Sequence, residues 1–267
     1  MKKVILITGG SSGIGKAIGE FLLDKDYIVY GTSRNASAIS NSNINLIDLD
    51  VRNMTSIETC IAKVLLLEGR IDVLINNAGV GITGPLEEIP LEEIKNNFET
   101  NVFGPIAAMK AVLPQMRLQK KGLIINITSI AGYMGLPFRS VYSSSKGALE
   151  LITESLRMET KSFGIQITNV APGDFATDIA SRRFHAPVQK GSAYETVYQN
   201  QLDIMNAHVS GGSNPLEMAL AIHKIIETNN PRIHYKVGAF VQKFSIVLKR
   251  ILPDKMYEKI LMNHYKL

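Results

Sequence analysis

The sequence predicts a doubly wound α/β fold around a parallel sheet, and three observations carry that expectation. Short β-rich apolar runs alternate with longer segments of helical period, as βαβ units do. Runs such as Val4-Ile5-Leu6-Ile7 are apolar at every position instead of alternating, which suits strands covered on both faces. The 267 residues, 45% hydrophobic and 20% charged with no repeat or low-complexity linker, suit one core with an elaboration.

Taken in order, residues 4–8 read as the first strand and 14–25 as a helix. Residues 27–33 and 44–48 follow as strands. Residues 54–68 carry Ile57, Ile61, Val64 and Leu65 at helical spacing, and 73–76 form a short buried strand. Two long helical stretches, 91–118 and 142–163, are separated by a strand at 123–127 and followed by another at 165–171. After Pro172 a polar and aromatic segment runs to about Asn214. A helix at 215–227, a strand near 235–237 and a terminal helical region complete the chain. The expected organisation is a single domain, with a part that meets a cofactor to about residue 173 and a substrate loop plus C-terminal extension beyond it.

Several function classes are disfavoured at once. The net charge of +5 is concentrated near the end, where residues 232–267 hold eight basic and two acidic residues. The excess therefore describes a tail and not a nucleic-acid-binding face, and no nucleic-acid partner is expected. Cys60 is the sole cysteine, and His185, His208, His223, His234 and His264 lack ligand spacing, so no metal site is expected. No run reaches the roughly 18 apolar residues of a membrane span. The start imitates a secretion signal, but Thr8-Gly9-Gly10 ends its apolar stretch after four residues, short of the roughly seven required. A cytoplasmic location is the expectation.

The first strand runs into Thr8-Gly9-Gly10-Ser11-Ser12-Gly13-Ile14-Gly15 and then into helix. Glycines let a backbone approach a pyrophosphate, and the free N–H groups and dipole of the helix N-terminus stabilise it. The spacing is Gly-x-x-x-Gly-x-Gly, and Ala17 stands where a Walker loop has Ser or Thr. Folds that prefer NAD place a carboxylate at the end of the second strand. Here that strand ends Thr32-Ser33-Arg34, a hydroxyl and a guanidinium that suit a 2′-phosphate. NADP(H) is thus favoured over NAD(H). Asp50 and Val51 follow the third strand, where Asp50 either reaches the adenine amino group or is an exposed turn residue.

Further motifs appear in order: Asn76-Asn77-Ala78-Gly79, Asn101, Ser129, Tyr142-Ser-Ser-Ser-Lys146 and Pro172-Gly173 with Thr177 four residues on. The ordered set, over residues 4 to about 178, resembles the short-chain dehydrogenase/reductase family, which implies a Rossmann fold and alcohol–carbonyl interconversion by hydride transfer. The resemblance assigns cofactor contacts to Gly9, Ser11, Ser12, Gly13, Ile14, Gly15, Asn77, Ala78, Gly79, Pro172, Gly173 and Thr177. By the same resemblance Tyr142 exchanges the proton, Lys146 holds the nicotinamide ribose, and Asn101 fixes a water linking Lys146 to solvent. Physically, Tyr142 and Lys146 at i and i+4 share a helix face. A phenol with a pKa near 10 is acidified by an ammonium and by the oxidised cofactor's positive charge. Ser129 ends the preceding strand, placed to hydrogen-bond the reacting oxygen.

Residues 130–138 and Tyr235-Lys236-Val237-Gly238 resemble the branch of 17β-hydroxysteroid and retinol dehydrogenases. That implies a lipophilic alcohol or carbonyl, whether steroid, retinoid or long-chain. The pocket is expected from residues 80–83, 130–138 and the loop after Gly173, with Tyr133, Met134, Leu136, Phe138 and Phe175 as apolar lining. The alternative is a cofactor-binding regulator or scaffold without turnover, against which the intact Ser129, Tyr142 and Lys146 argue. Family habit implies a homodimer or homotetramer through the helices around 102–118 and 142–163. In the tail, Phe240, Phe244, Val247, Leu248 and Ile251 recur at helical spacing among Lys243, Lys249 and Arg250. Such a stripe either packs on the parent domain as a cap or touches an anionic membrane surface weakly.

Overall fold

Strands β1 (Val4–Ile7), β2 (Ile28–Ser33), β3 (Asn45–Asp48) and β4 (Val73–Asn76) alternate with helices α1 (Gly13–Leu23) and α2 (Met54–Glu68). After the two-residue strand β5 (Ile82–Thr83) come α3 (Leu91–Phe98), α4 (Gly104–Gln119), β6 (Gly122–Ile127), α5 (Ser140–Thr160) and β7 (Ile165–Pro172). The computed structural model describes residues 1–176 and 183–267, the side chains of 206–210 excepted. Beyond residue 183 lie β8 (Phe184–His185), α6 (Glu195–Ser210), α7 (Pro215–Ile226), β9 (His234–Val237), α8 (Phe240–Ile251) and α9 (Asp254–Tyr265). Seven strands pair in the order β3-β2-β1-β4-β6-β7-β9, each pairing parallel. The doubly wound expectation is met.

The continuous apolar runs are explained by a sheet buried on both sides. Leu6, Leu74, Ile124 and Ile167 point to one face, against Ile57, Val64, Val112, Met116 and Leu149 of α2, α4 and α5. Their neighbours Ile5, Ile7, Ile75, Ile125 and Val170 point to the other, against Ile18 and Leu22 of α1 and Met218, Ile222 and Ile225 of α7. Local signals set the helix ends. The Asn53 side chain accepts the Ser56 N–H at 3.0 Å to start α2, and Gly69 closes it at φ +70, a left-handed conformation that glycine adopts without penalty.

Two features depart from the sequence expectation, and the expected terminal helical region is seen as two helices. The single helix read over 91–118 is broken by a π-helical turn at Glu99–Phe103, in which the Gly104 N–H reaches back to the Glu99 carbonyl. Pro105 follows; lacking an N–H, it cannot continue the ordinary ladder from Asn101. The segment after Pro172 holds α6 and β8, which pairs with β5; these two strands have two residues each and are too short to show a period. The terminal region is a helical hairpin whose first helix, α8, buries Ile246 against Ile130, Met134, Ala171 and Tyr257. Among the described residues no helix is long and apolar enough to cross a membrane.

Candidate active site

The carboxyl ends of β1, β4 and β6 converge on one cleft of about 510 Å³, the place where parallel α/β sheets bind ligands. Its floor is bolted together by Thr8 and Asn77. The Thr8 hydroxyl accepts the N–H groups of Asn77 and Ala78, both at 3.0 Å. In return the Asn77 side-chain amide donates to the carbonyls of Thr8 and Gly9, each at 3.0 Å. Gly9 turns at φ +66, and a Cβ on Gly15 would run into the Gly9 carbonyl and the Asn77 amide. The loop therefore lies flat before α1, leaving backbone at the helix N-terminus open to an anion. A dinucleotide pyrophosphate fits this cradle.

The far end of the cleft is basic. Ser33, Arg34, Asp50 and Arg52 all line it. Asp50 accepts from the Arg52 backbone at 3.0 Å and from its guanidinium at 3.1 and 2.8 Å. That pairing, more than the charge of Arg34, holds the Asp50 carboxyl below its ordinary pKa. Asp48, the other nearby carboxylate, is spent on the Ala36 N–H at 2.6 Å. Among the described residues no carboxylate is left unengaged at the tip of β2.

At the opposite end stand Tyr142 and Lys146 on the first turns of α5, both lining the cleft. The segment entering α5 is fixed at Phe138, whose φ of 56 is rare for a side chain of this size. Its carbonyl accepts from the Gly84 N–H at 2.9 Å and the Thr83 hydroxyl at 2.8 Å, which hold that conformation in place. Ser129 hydrogen-bonds the Tyr142 phenol and accepts the Ala131 N–H at 3.1 Å. Lys146 donates to the Ile127 carbonyl at 3.0 Å, with its nitrogen 6.0 Å from the centre of the Tyr142 ring. Burial draws the Lys146 ammonium down to about 8, opposed by the charge of Glu150.

The phenol itself moves up, not down as the Lys146 spacing alone suggests. Burial is the largest cause, offset by the Ser129 hydrogen bond and the guanidiniums of Arg139 and Arg183. Asn101, in the π turn, accepts the Val80 N–H and donates to the Val80 carbonyl, both at 2.9 Å. It also reaches Ser145 at 3.2 Å. A Cβ on Gly79 would stand 3.2 Å from both the Asn101 oxygen and the Lys146 nitrogen, so these two side chains meet across a glycine.

This arrangement has known counterparts. A family model described as "short chain dehydrogenase" matches residues 3–187. The chain belongs to the short-chain dehydrogenase family. As a member it is an oxidoreductase acting on CH–OH groups. It is 39% identical to a 3-ketodihydrosphingosine reductase of Bacteroides thetaiotaomicron over 98% of each chain. It is also 34% identical to human retinol dehydrogenase 8, over 86% of this chain and 79% of that one. Among solved structures, a short-chain dehydrogenase from Streptomyces avermitilis superposes with a TM-score of 0.82 at 31% identity, over 97% of each chain. ElxO with NADP bound superposes at 0.72 and 30% identity, over 89% of this chain and 97% of that one.

Most residues singled out from the sequence share the one cleft. Gly9, Ser11, Ser12, Gly13, Ile14, Ser33, Arg34, Asp50, Val51, Asn77, Ala78, Gly79, Tyr142, Lys146 and Pro172 line it. Gly15, Asn101, Ser129 and Gly173 are not among the lining residues. Thr177 lies outside the described residues. Of the expected apolar lining, Phe138 packs with Tyr142, Tyr194 and Tyr198 beside the cleft. Phe175 is instead buried in the core under α7, and Tyr133, Met134 and Leu136 meet the C-terminal hairpin. Sequence reasoning missed Arg52, although an Arg two residues after Asp50 was a visible signal. It also missed Arg139 and Arg183, which are recognisable only once the fold brings them near Tyr142. Asn101→Ala removes the acceptor of the Val80 N–H, leaving the Val80 carbonyl on the Asn97 amide at 3.0 Å, and the Val80 amide is expected to exchange about 10- to 100-fold faster. Hydrogen exchange read by NMR or mass spectrometry checks this, and an unchanged rate contradicts it.

Proposed function

We propose that the chain is an NADP(H)-dependent oxidoreductase that interconverts an alcohol and a ketone or aldehyde on a lipophilic molecule. The observation that carries this reading is the single cleft joining the glycine cradle and Arg34 at one end to Tyr142 and Lys146 at the other, with Ser129 hydrogen-bonded to the phenol. When bound, the nicotinamide supplies or takes the hydride and, when oxidised, adds a positive charge beside the phenol. In the reducing direction the Tyr142 hydroxyl donates its proton to the carbonyl oxygen, while the Ser129 hydroxyl hydrogen-bonds and orients that oxygen. In the oxidising direction the Tyr142 oxygen takes the proton from the alcohol. Lys146 holds the ribose hydroxyls and keeps positive charge near the phenolate, and Asn101 secures Val80 and the approach to Lys146.

The NADP(H) preference rests on Arg34 and Ser33 at the tip of β2, with Arg52 beside them and both local carboxylates engaged. A lipophilic substrate is supported by Phe138, Ile82 and Tyr198 packed around Tyr142, and by relatives named for a sphingoid base and a retinol. The cofactor part and the segment from 174 onward are read as one domain. Exposed Leu118, Leu151 and Met158 on α4 and α5 support self-association through these helices. Nothing in the site favours a scaffold without turnover.

The exposed face of α8 supports weak contact with an anionic bilayer. Ile246 docks inward, while Phe240, Phe244, Val247 and Ile251 remain exposed with Lys243, Lys249 and Arg250 on the same helix. The capping expectation thus describes one side of the helix, and membrane contact is the reading for the other.

Two experiments test this reading. Turnover of 3-ketodihydrosphingosine, retinal and simple hydrophobic ketones, each with NADPH and NADH side by side, should favour NADPH. Arg34→Asp should invert that ratio, and an unchanged ratio means that another group reads the 2′ position. In cosedimentation, the full chain should bind anionic liposomes more than neutral ones, and Phe240→Ser with Phe244→Ser should abolish it. Equal, negligible binding by parent and variant rejects the membrane contact.

A further inference from the structure

Four residues beyond Lys146 on α5 lies Glu150, a carboxylate that is 5% exposed and that the proposed chemistry leaves unused. A charge is costly to bury unless several groups satisfy it, and this one is met from four elements. The Thr128 hydroxyl donates to one oxygen. The Tyr133 hydroxyl donates to the other at 2.9 Å and the Asn169 amide at 3.0 Å. The His234 Nδ1, on β9, stands 2.8 Å from that second oxygen.

The carboxylate is also adjacent to the lysine's own anchor. Lys146 donates to the carbonyl of Ile127, and Glu150 accepts from the hydroxyl of Thr128, the next residue. Lysine and glutamate thus grip consecutive residues at the end of β6 from one face of α5. Other charged groups share these surroundings: Glu150 also acts on Lys236, opposing the effect of burial there, and His234, 2.8 Å from Glu150, has its Nε2 3.0 Å from Glu154. Lys236 lies over the Tyr133 ring at 5.3 Å, its ammonium weakened by burial and by Arg250. Arg250 acts on Tyr133 and Lys236 from α8.

We propose that Glu150 is a positioning residue for Lys146, its buried carboxylate supplying the counter-charge that keeps the lysine an ammonium on the Ile127 carbonyl. The proposal rests on the reading of Lys146 as a ribose-holding cation. Burial alone pulls Lys146 into the range where it would lose its proton near neutral pH, and Glu150 is the group that opposes it. Loss of that charge should let Lys146 deprotonate at lower pH and release the nucleotide sooner as pH rises.

The test is NADPH affinity against pH, read by nucleotide fluorescence on the full chain, for the parent, Glu150→Gln and Glu150→Asp. In Glu150→Gln the alkaline midpoint of binding should fall by about one pH unit. In Glu150→Asp, which keeps the charge but disturbs the same contacts, it should stay within about 0.3 unit of the parent. Should Glu150→Gln not fold, Glu150→Asp alone decides, since a full-unit drop there overturns the proposal. A parental midpoint in folded Glu150→Gln also overturns it. Failure of the parent itself to bind NADPH at any pH would instead reject the cofactor reading, so the two failures are distinguishable.

Discussion

An ammonium group inside a protein must be held by specific oxygens and charges, and the rest of this site follows from how Lys146 is held. Its nitrogen sits on the Ile127 carbonyl, at the carboxyl end of the central strand β6. That end exists as a binding edge because β4, β6 and β7 run parallel and stop together. Helix α5 then carries Lys146 and Tyr142 into the cleft on one face, and Ser129 closes the set from the strand's own continuation. Gly79 matters for the same reason, since a side chain there would press on both Asn101 and Lys146, 3.2 Å from each.

The opposite wall is built with equal economy. Thr8 and Gly9 share four hydrogen bonds with Asn77 and Ala78 between the turns after β1 and β4, which tie the glycine loop to the segment leading to Gly79. Interactions of this kind fix the two ends of a long cofactor at one separation, which is how a rigid scaffold converts binding into a near-attack geometry. The polar pair Asn76 and Asn126, bonded at 2.8 Å and continued to Thr153 at 2.8 Å, runs under the site as a buried brace. Buried hydrogen-bonded chains of this sort rigidify a core, and here the Asn76 Oδ1 is left without a partner among the described residues.

Much of this was legible in the sequence because it follows from local chemistry. The apolar runs 4–7 and 73–75 read as strands buried on both faces, and the glycine spacing after the first required a loop pressed against a neighbour. Tyr142 and Lys146 were visible as a helical pair. What the sequence could not show were consequences of distant packing. The π turn at Glu99–Phe103 joins Asn101 to Val80, 21 residues away. Phe175 resembled pocket lining by composition, yet β7 carries it into the core beneath α7. The upward shift of the phenol likewise depends on burial, which no motif reports, and Arg52 gained meaning only when Asp50 was seen to grip it.

The account stands or falls on the Tyr142 hydroxyl as the group that moves the proton. Tyr142→Phe leaves the ring, its packing against Phe138 and the glycine cradle in place. With a substrate that the parent turns over, kcat should fall about 10²- to 10⁴-fold, while NADPH binds with parental affinity. Turnover at the parental rate with intact nucleotide binding would contradict the account.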